Sequence, residues 1–195
     1  MKKVILASAS PRRLELLRML GLNVLPIVPN VDESAVEESI PANLAEKRAK
    51  MKAKAVWGET HPEGCPIIGA DTLVELNWEI LGKPRSVAEA KEMLRRLSGK
   101  KHYVHTGLSV IYSGTETSTV VSSAVYFREL TDREIDEYVM SGEPMDKAGG
   151  YGIPGRAGAF VEKIEGDFFA VMGLPLCRLS TLLRESMGLE LTDLK

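Results

Sequence analysis

Hydrophobic positions along the chain fall into short continuous runs and helically spaced sets. Val4-Ile5-Leu6-Ala7 is a continuous apolar run and predicts a buried strand. Ser10 then stands as an N-cap with Pro11 at the first helical position. Leu14, Leu17, Met19 and Leu20 give that helix an apolar face, and Gly21 ends it. A strand is predicted from Asn23 to Pro29, and a long helix from about Pro41 to Trp57, rich in alanine and lysine. Cys65 to Leu76 reads as a strand bent or interrupted at Gly69-Ala70-Asp71-Thr72. Asn77 turns it into a short hairpin with Glu79-Ile80-Leu81.

The second half is punctuated by capping signals. Ser86-Val87-Ala88-Glu89 and Thr131-Asp132-Arg133-Glu134 each match a capping box, opening helices that end at Gly99 and near Gly142. Between them lie two strand-like stretches, Tyr103–Tyr112 and Thr119–Phe127, joined by Ser113-Gly114. A glycine-rich loop follows, then a strand over Ala159–Ile164 and a last helix from about Pro175 to Met187. Met19, Met51, Met93 and Met140 fall in helices and are expected in the core. Interleaved strands and helices with two hairpin signals predict an α/β fold with a mixed sheet. A length of 195 residues fits one domain spanning 1–195, as one body or two closely packed lobes around a cleft.

Composition narrows the function. The net charge is −2, with 25 basic and 27 acidic residues, so the basic excess of a nucleic-acid binder is absent. A small phosphate ligand needs only a few local cations and stays open. The two cysteines, Cys65 and Cys177, form no Cys-x-x-Cys pair, which fits a reducing cytosol. The apolar stretch at Val4–Ala7 is too short for a signal peptide, and no run reaches transmembrane length. The expected location is the cytoplasm, with neither nucleic acid nor membrane as partner.

Several segments carry candidate chemistry. Ser8-Ala9-Ser10-Pro11-Arg12-Arg13 places small residues before a helix start, where free backbone N–H groups make an anion site. Two arginines in a first helical turn oppose the helix dipole. An anionic ligand explains them, and so does an ordinary solvated surface helix. Ile67-Ile68-Gly69-Ala70-Asp71-Thr72 delivers a carboxylate near the end of an apolar strand, either as a Mg²⁺ ligand or general base, or as a turn residue. Asp32 and Glu33 lie in a polar loop where one could join a metal site. Lys83 sits in the Leu81-Gly82-Lys83-Pro84 turn, and Lys47, Lys50, Lys52 and Lys54 crowd the long helix. Residues 142–158 hold six glycines, a backbone suited to wrapping a ligand. The formal G-x-G-x-x-G at Gly150–Gly155 lacks the strand before and the helix after that a dinucleotide fold requires. His102 and His105, three apart on a strand, face opposite sides and make no metal motif.

In combination and in this order, these segments resemble the Maf family of nucleoside triphosphate pyrophosphatases. The resemblance rests on Leu6–Arg13, Glu33, Lys52, Gly69-Ala70-Asp71-Thr72, Gly82-Lys83-Pro84, Leu97–His102, Glu143–Ile153 and Gly173-Leu174-Pro175. It implies an elongated, inosine-triphosphatase-like α/β fold with the site in a cleft between two lobes. It implies hydrolysis of a nucleoside triphosphate to the monophosphate and pyrophosphate with a divalent metal, Mg²⁺ or Mn²⁺. By position Asp71 matches the family's proton acceptor, and Arg12 and Thr72 match positions tied to substrate choice. Ser8, Arg13, Glu33, Lys52 and Lys83 match the lining of the phosphate and metal site, with Asp71 and Glu33 as the metal carboxylates. Gly-Ala-Asp-Thr resembles the branch that cleaves dTTP and UTP. That branch usually carries Gln where this chain has Pro154, which offers no side-chain polar group to a base edge. A homodimer is expected by analogy alone. The competing function is a nucleotide-binding regulator of cell division without turnover.

Overall fold

The computed structural model describes residues 3–194. The first apolar run forms β1 (Lys3–Ala7), and Ser10 caps α1 (Pro11–Met19) with Pro11 in its first turn. Next come β2 (Asn23–Ile27), α2 (Pro41–Thr60) and β3 (Ile67–Leu76), with β1 parallel to both β2 and β3. Helical crossovers are what parallel neighbours require. The hairpin strand β4 (Glu79–Leu81) and α3 (Val87–Leu97) follow. Two long antiparallel strands, β5 (Lys101–Tyr112) and β6 (Thr115–Phe127), are joined through Ser113 and Gly114, both at positive φ. The chain ends with α4 (Asp132–Met140), three 3-10 turns between 143 and 160, β7 (Val161–Glu165), α5 (Phe168–Met172) and α6 (Leu176–Met187). The sheet runs β2-β1-β3-β5-β6-β7, with β4 on the β3 edge. It is the mixed sheet with flanking helices that the sequence predicts.

One sheet face carries α2 alone. The helix lies so close to β3 and β5 that a Cβ at Gly69 or Gly107 would overlap the backbone carbonyl of Ala49 or Ala45. Alanines 45, 49 and 53 complete this close seam. The opposite face bears two separate cores. One joins Val4, Leu6, Ile68 and Leu108 to Leu16 and Leu17 of α1 and Leu179, Leu182 and Leu183 of α6. The other joins Val74, Val104, Val125 and Phe127 to Ala90, Leu94 and Leu97 of α3, to α4, and to Tyr151 and Phe160. These are the two lobes, and the long strands β3 and β5 run through both.

Several sequence expectations need correction. β3 is a continuous ten-residue strand, neither bent nor interrupted at Gly69 to Thr72. Gly69 serves the approach of α2, and Asp71 sits mid-strand instead of at its end. α1 buries Leu16, Leu17 and Arg13, while Met19 is 61% exposed, because the helix turns its arginine face toward β3. Met140 is 85% exposed at the end of α4, and only Met93 of the four methionines is fully buried. The Thr131 capping box is complete. At Ser86 only half of one forms, because the Glu89 side chain accepts from Arg85 N. α5, capped by Asp167, has too few residues to show a helical period.

The α2 seam predicts opposite outcomes for two glycines. Gly107→Ala inserts a methyl against backbone and should lower unfolding free energy by about 3 kcal/mol or more. Gly58→Ala, in α2 with open space around it, should raise it by about 0.5–1 kcal/mol. Denaturant titration of both variants measures the pair.

Candidate active site

Where the two lobes meet, β3 loses its neighbour. β1 ends opposite Gly69, β4 reaches only as far as Val74, and the edge from Ala70 to Leu73 has no strand partner on that side among the described residues. A cleft of about 640 Å³ opens along this gap. Every residue expected at the site lines it: Ser8, Arg12, Arg13, Glu33, Lys52, Asp71, Thr72, Lys83 and Pro154. The rule that ligands gather at strand ends applies here to β1, whose end creates the gap, and Asp71 occupies it from the continuing strand.

Arg13 is 8% exposed and turns inward. Its Nε donates to Gly173 O at 2.8 Å, Nη1 to Ala70 O at 2.9 Å and to Ser8 Oγ at 3.1 Å, and Nη2 to Thr72 Oγ1 at 2.9 Å. Four of its five N–H groups are thus committed to neutral protein oxygens. Burial lowers its pKa; Asp71 and Glu33 oppose that shift and Arg12 adds to it. Thr106 Oγ1 donates to Ala170 O at 2.7 Å, so Thr72 Oγ1 donates to Thr106 Oγ1 across 2.9 Å. The Thr72 hydroxyl is therefore engaged within the protein. This chain of polar groups runs between the two apolar cores.

Across the strand, α2 delivers Lys52, which is 7% exposed. Its ammonium donates to Asp71 Oδ1 at 2.6 Å and pairs with Glu33 Oε1 at 2.8 Å. Asp71 is 6% exposed, and its Oδ2 is buried without a hydrogen-bond partner. Burial pushes the Glu33 carboxyl up, but the Lys52 hydrogen bond and the charges of Lys52, Arg48 and Lys83 outweigh it. The carboxyl is held below the ordinary carboxylate value.

The glycine-rich loop closes the other wall. Gly149 N donates to Gly82 O at 2.9 Å, tying the loop to the turn that carries Lys83. Gly149 holds φ at 68° against the Val74 side chain, where a Cβ would collide. Tyr151, a cleft residue, places its hydroxyl 2.6 Å from His102 Nε2 in the second core. Neither His102 nor His105 lines the cleft; His105 bonds Glu75 and Ser122 instead. Burial also raises Asp146, but Lys147, hydrogen-bonded to it, and the charge of Arg12 hold it below its ordinary value. Sequence reasoning missed Arg48, Asp146 and Lys147 as cleft residues. Arg48 stands one helical turn before Lys52, a spacing that puts both on one face, and that was the available signal.

A family model described as Maf-like protein matches residues 3–186. The chain belongs to the Maf family. One Maf relative, a dTTP/UTP pyrophosphatase of Symbiobacterium thermophilum, is 46% identical over 185 residues, covering 95% of this chain and 94% of that one. Another, the dTTP/UTP pyrophosphatase of Vibrio cholerae, is 45% identical over 183 residues, covering 94% and 97%. Among solved structures, the Ham1 protein of Staphylococcus aureus superposes with a TM-score of 0.45 at 16% identity, covering 67% of this chain and 73% of that one.

Burial lowers the His102 pKa to about 4, with only partial opposition from the Lys100 backbone. The unfolded chain therefore takes up this proton first, and stability should fall as pH drops from about 6.5 to about 4, by about 3 kcal/mol. His102→Gln should show a smaller loss across that window. Unfolding free energies of both proteins at pH 7 and 4.5 give the comparison.

Proposed function

We propose that this Maf-family chain hydrolyses dTTP and UTP to the monophosphate and pyrophosphate. The observation that carries the reading is the buried, unpartnered Oδ2 of Asp71 in a cleft lined by six cations and three carboxylates. A pure anion binder gains nothing from a free carboxylate oxygen there. A hydrolase needs one as general base. The names of the Maf relatives supply the substrate class.

Lys52 holds Asp71 Oδ1 and leaves Oδ2 to face a water molecule. Oδ2 takes a proton from that water as its oxygen bonds to the α-phosphorus. The bond from the α-phosphorus to the α,β-bridging oxygen breaks, and its electron pair leaves with pyrophosphate. Arg12, Lys52 and Lys83 neutralise phosphate oxygens from the cleft walls. The first-turn amides of α1 that lack an intrahelical acceptor add donors beside Ser8. Arg13 acts chiefly by holding Ser8, the β3 edge and α5 in position, with one N–H left for a ligand. Ile153 and Pro154 give the loop wall an apolar surface toward the base.

The donor set suits a divalent cation shared with the substrate. Asp71 Oδ2 has two lone-pair sites, one for the water and one for a cation, Glu33 offers a second carboxylate, and no group of three or more His, Cys, Asp or Glu gathers among the described residues. Mg²⁺ characteristically takes one or two carboxylates and completes its shell with phosphates and water. Asp71 and Glu33 would hold Mg²⁺ or Mn²⁺, which would neutralise charge on the phosphates.

Asp71→Asn should reduce kcat for pyrophosphate release from dTTP by roughly a hundredfold or more, with KM little changed. Unchanged turnover removes Asp71 from the role of base, and absence of turnover in the wild type favours a regulator that only binds nucleotide. Chelation with EDTA should abolish release, and added Mg²⁺ or Mn²⁺ should restore it in the same assay.

A further inference from the structure

Among the described residues, the cleft lining contains one cation with a buried donor that no acceptor meets. Arg48 lies on α2 one turn from Lys52 and reaches the cleft. It makes no hydrogen bond or ion pair among the described residues, and its Nε is buried without an acceptor. The nearby carboxylate, Glu33, is already paired with Lys52. Lys147 is paired with Asp146, and Arg13 is held by neutral oxygens. A buried guanidinium donor without an acceptor costs stability, so its retention in a cleft wall calls for a partner that arrives from solution.

The unpaired cations are not evenly spread. Arg12 lies toward Asp146 and the Gly152-Ile153-Pro154 wall, which is mostly neutral and apolar. Arg48 and Lys83 lie with Lys52 around the Glu33 carboxylate, and Lys52 also holds Asp71. The first end suits a nucleoside; the second has three cations to two carboxylates, and Lys52 pairs with both carboxylates, which leaves Arg48 and Lys83 without an ion pair among the described residues. Hydrolysis at the α-phosphorus leaves most of the charge on the departing β,γ unit, so the more cationic end is the one that should receive it.

We propose that Arg48 is a substrate-binding residue for the β,γ-phosphates, and that it also retains the pyrophosphate product. The inference rests on the pyrophosphatase reading for its choice of ligand. Its planar fork can take two phosphate oxygens at once. The side chain is left unanchored in the free protein because its acceptors belong to the ligand.

The test compares Arg48→Leu with the wild type, titrating inorganic pyrophosphate and, separately, dTMP by calorimetry with Mg²⁺ present. Pyrophosphate affinity should fall roughly tenfold or more, the scale of a lost charge-assisted hydrogen bond, while dTMP affinity stays within about twofold of the wild type. The melting temperature should stay the same or rise, because the variant removes a buried donor that the free protein does not satisfy. Arg48→Lys should recover part of the pyrophosphate affinity, since it restores charge without the fork. Equal weakening of both ligands, or unchanged pyrophosphate binding, overturns the proposal. So does a fall in melting temperature with pyrophosphate binding intact, which would make Arg48 a structural residue. Direct binding needs no turnover: a wild type inactive on every triphosphate defeats the pyrophosphatase reading, whereas an active wild type with an indifferent Arg48→Leu defeats only this inference.

Discussion

The Arg13 guanidinium, buried between two apolar cores and held by neutral oxygens, is the contact that the rest of the site depends on. A buried charge is tolerated only where its donors are met. Meeting four of them fixes the start of α1, the open edge of β3 and the end of α5 at one point. Those elements are distant in sequence: the bond to Gly173 spans 160 residues. Neither core alone would define the angle between the lobes, because each packs on its own stretch of the long strands. The polar chain through Thr72 and Thr106 supplies the directional contacts that apolar packing lacks.

The second constraint comes from the opposite face. Two glycines let α2 settle onto β3 and β5, and that proximity brings Lys52 to Asp71. Asp71 is thereby approached from both sides of its strand. A positively charged strut lies behind it and an ammonium grips one oxygen, while the other oxygen keeps no hydrogen-bond partner. The electrostatic character of the site follows from backbone packing as much as from the charged residues themselves.

Much of this was legible in the sequence. Ser10 with Pro11 and the Thr131 capping box marked helix starts that the structure keeps. Gly69-Ala70-Asp71-Thr72 marked a carboxylate among small residues, and the structure brings it together with Arg12, Arg13, Lys52 and Lys83 in one cleft. What the sequence could not reveal was relational. Gly69 looked like a bend because a single chain gives no sign of the helix that needs its missing side chain. Arg13 looked like a free phosphate ligand because two of its four acceptors are backbone oxygens, which carry no residue signature, and a third is the Thr72 hydroxyl, distant in sequence. Thr72 looked available because its two partners, Arg13 and Thr106, are distant in sequence. Arg48 was hidden among the lysines of α2, where composition alone does not separate a cleft-facing cation from solvated ones.

The interrupted sheet edge has a consequence for how the protein behaves in a crowded solution. Unpaired strand edges recruit other chains and seed aggregation. Here the bare stretch covers only Ala70 to Leu73, about 13 Å at ordinary strand rise, with Ala7 at one side and Leu81 at the other. Arg13 already occupies the Ala70 carbonyl. A foreign strand would find too short a template and a positively charged obstacle, so the molecule exposes main chain to a small ligand without offering it to its neighbours.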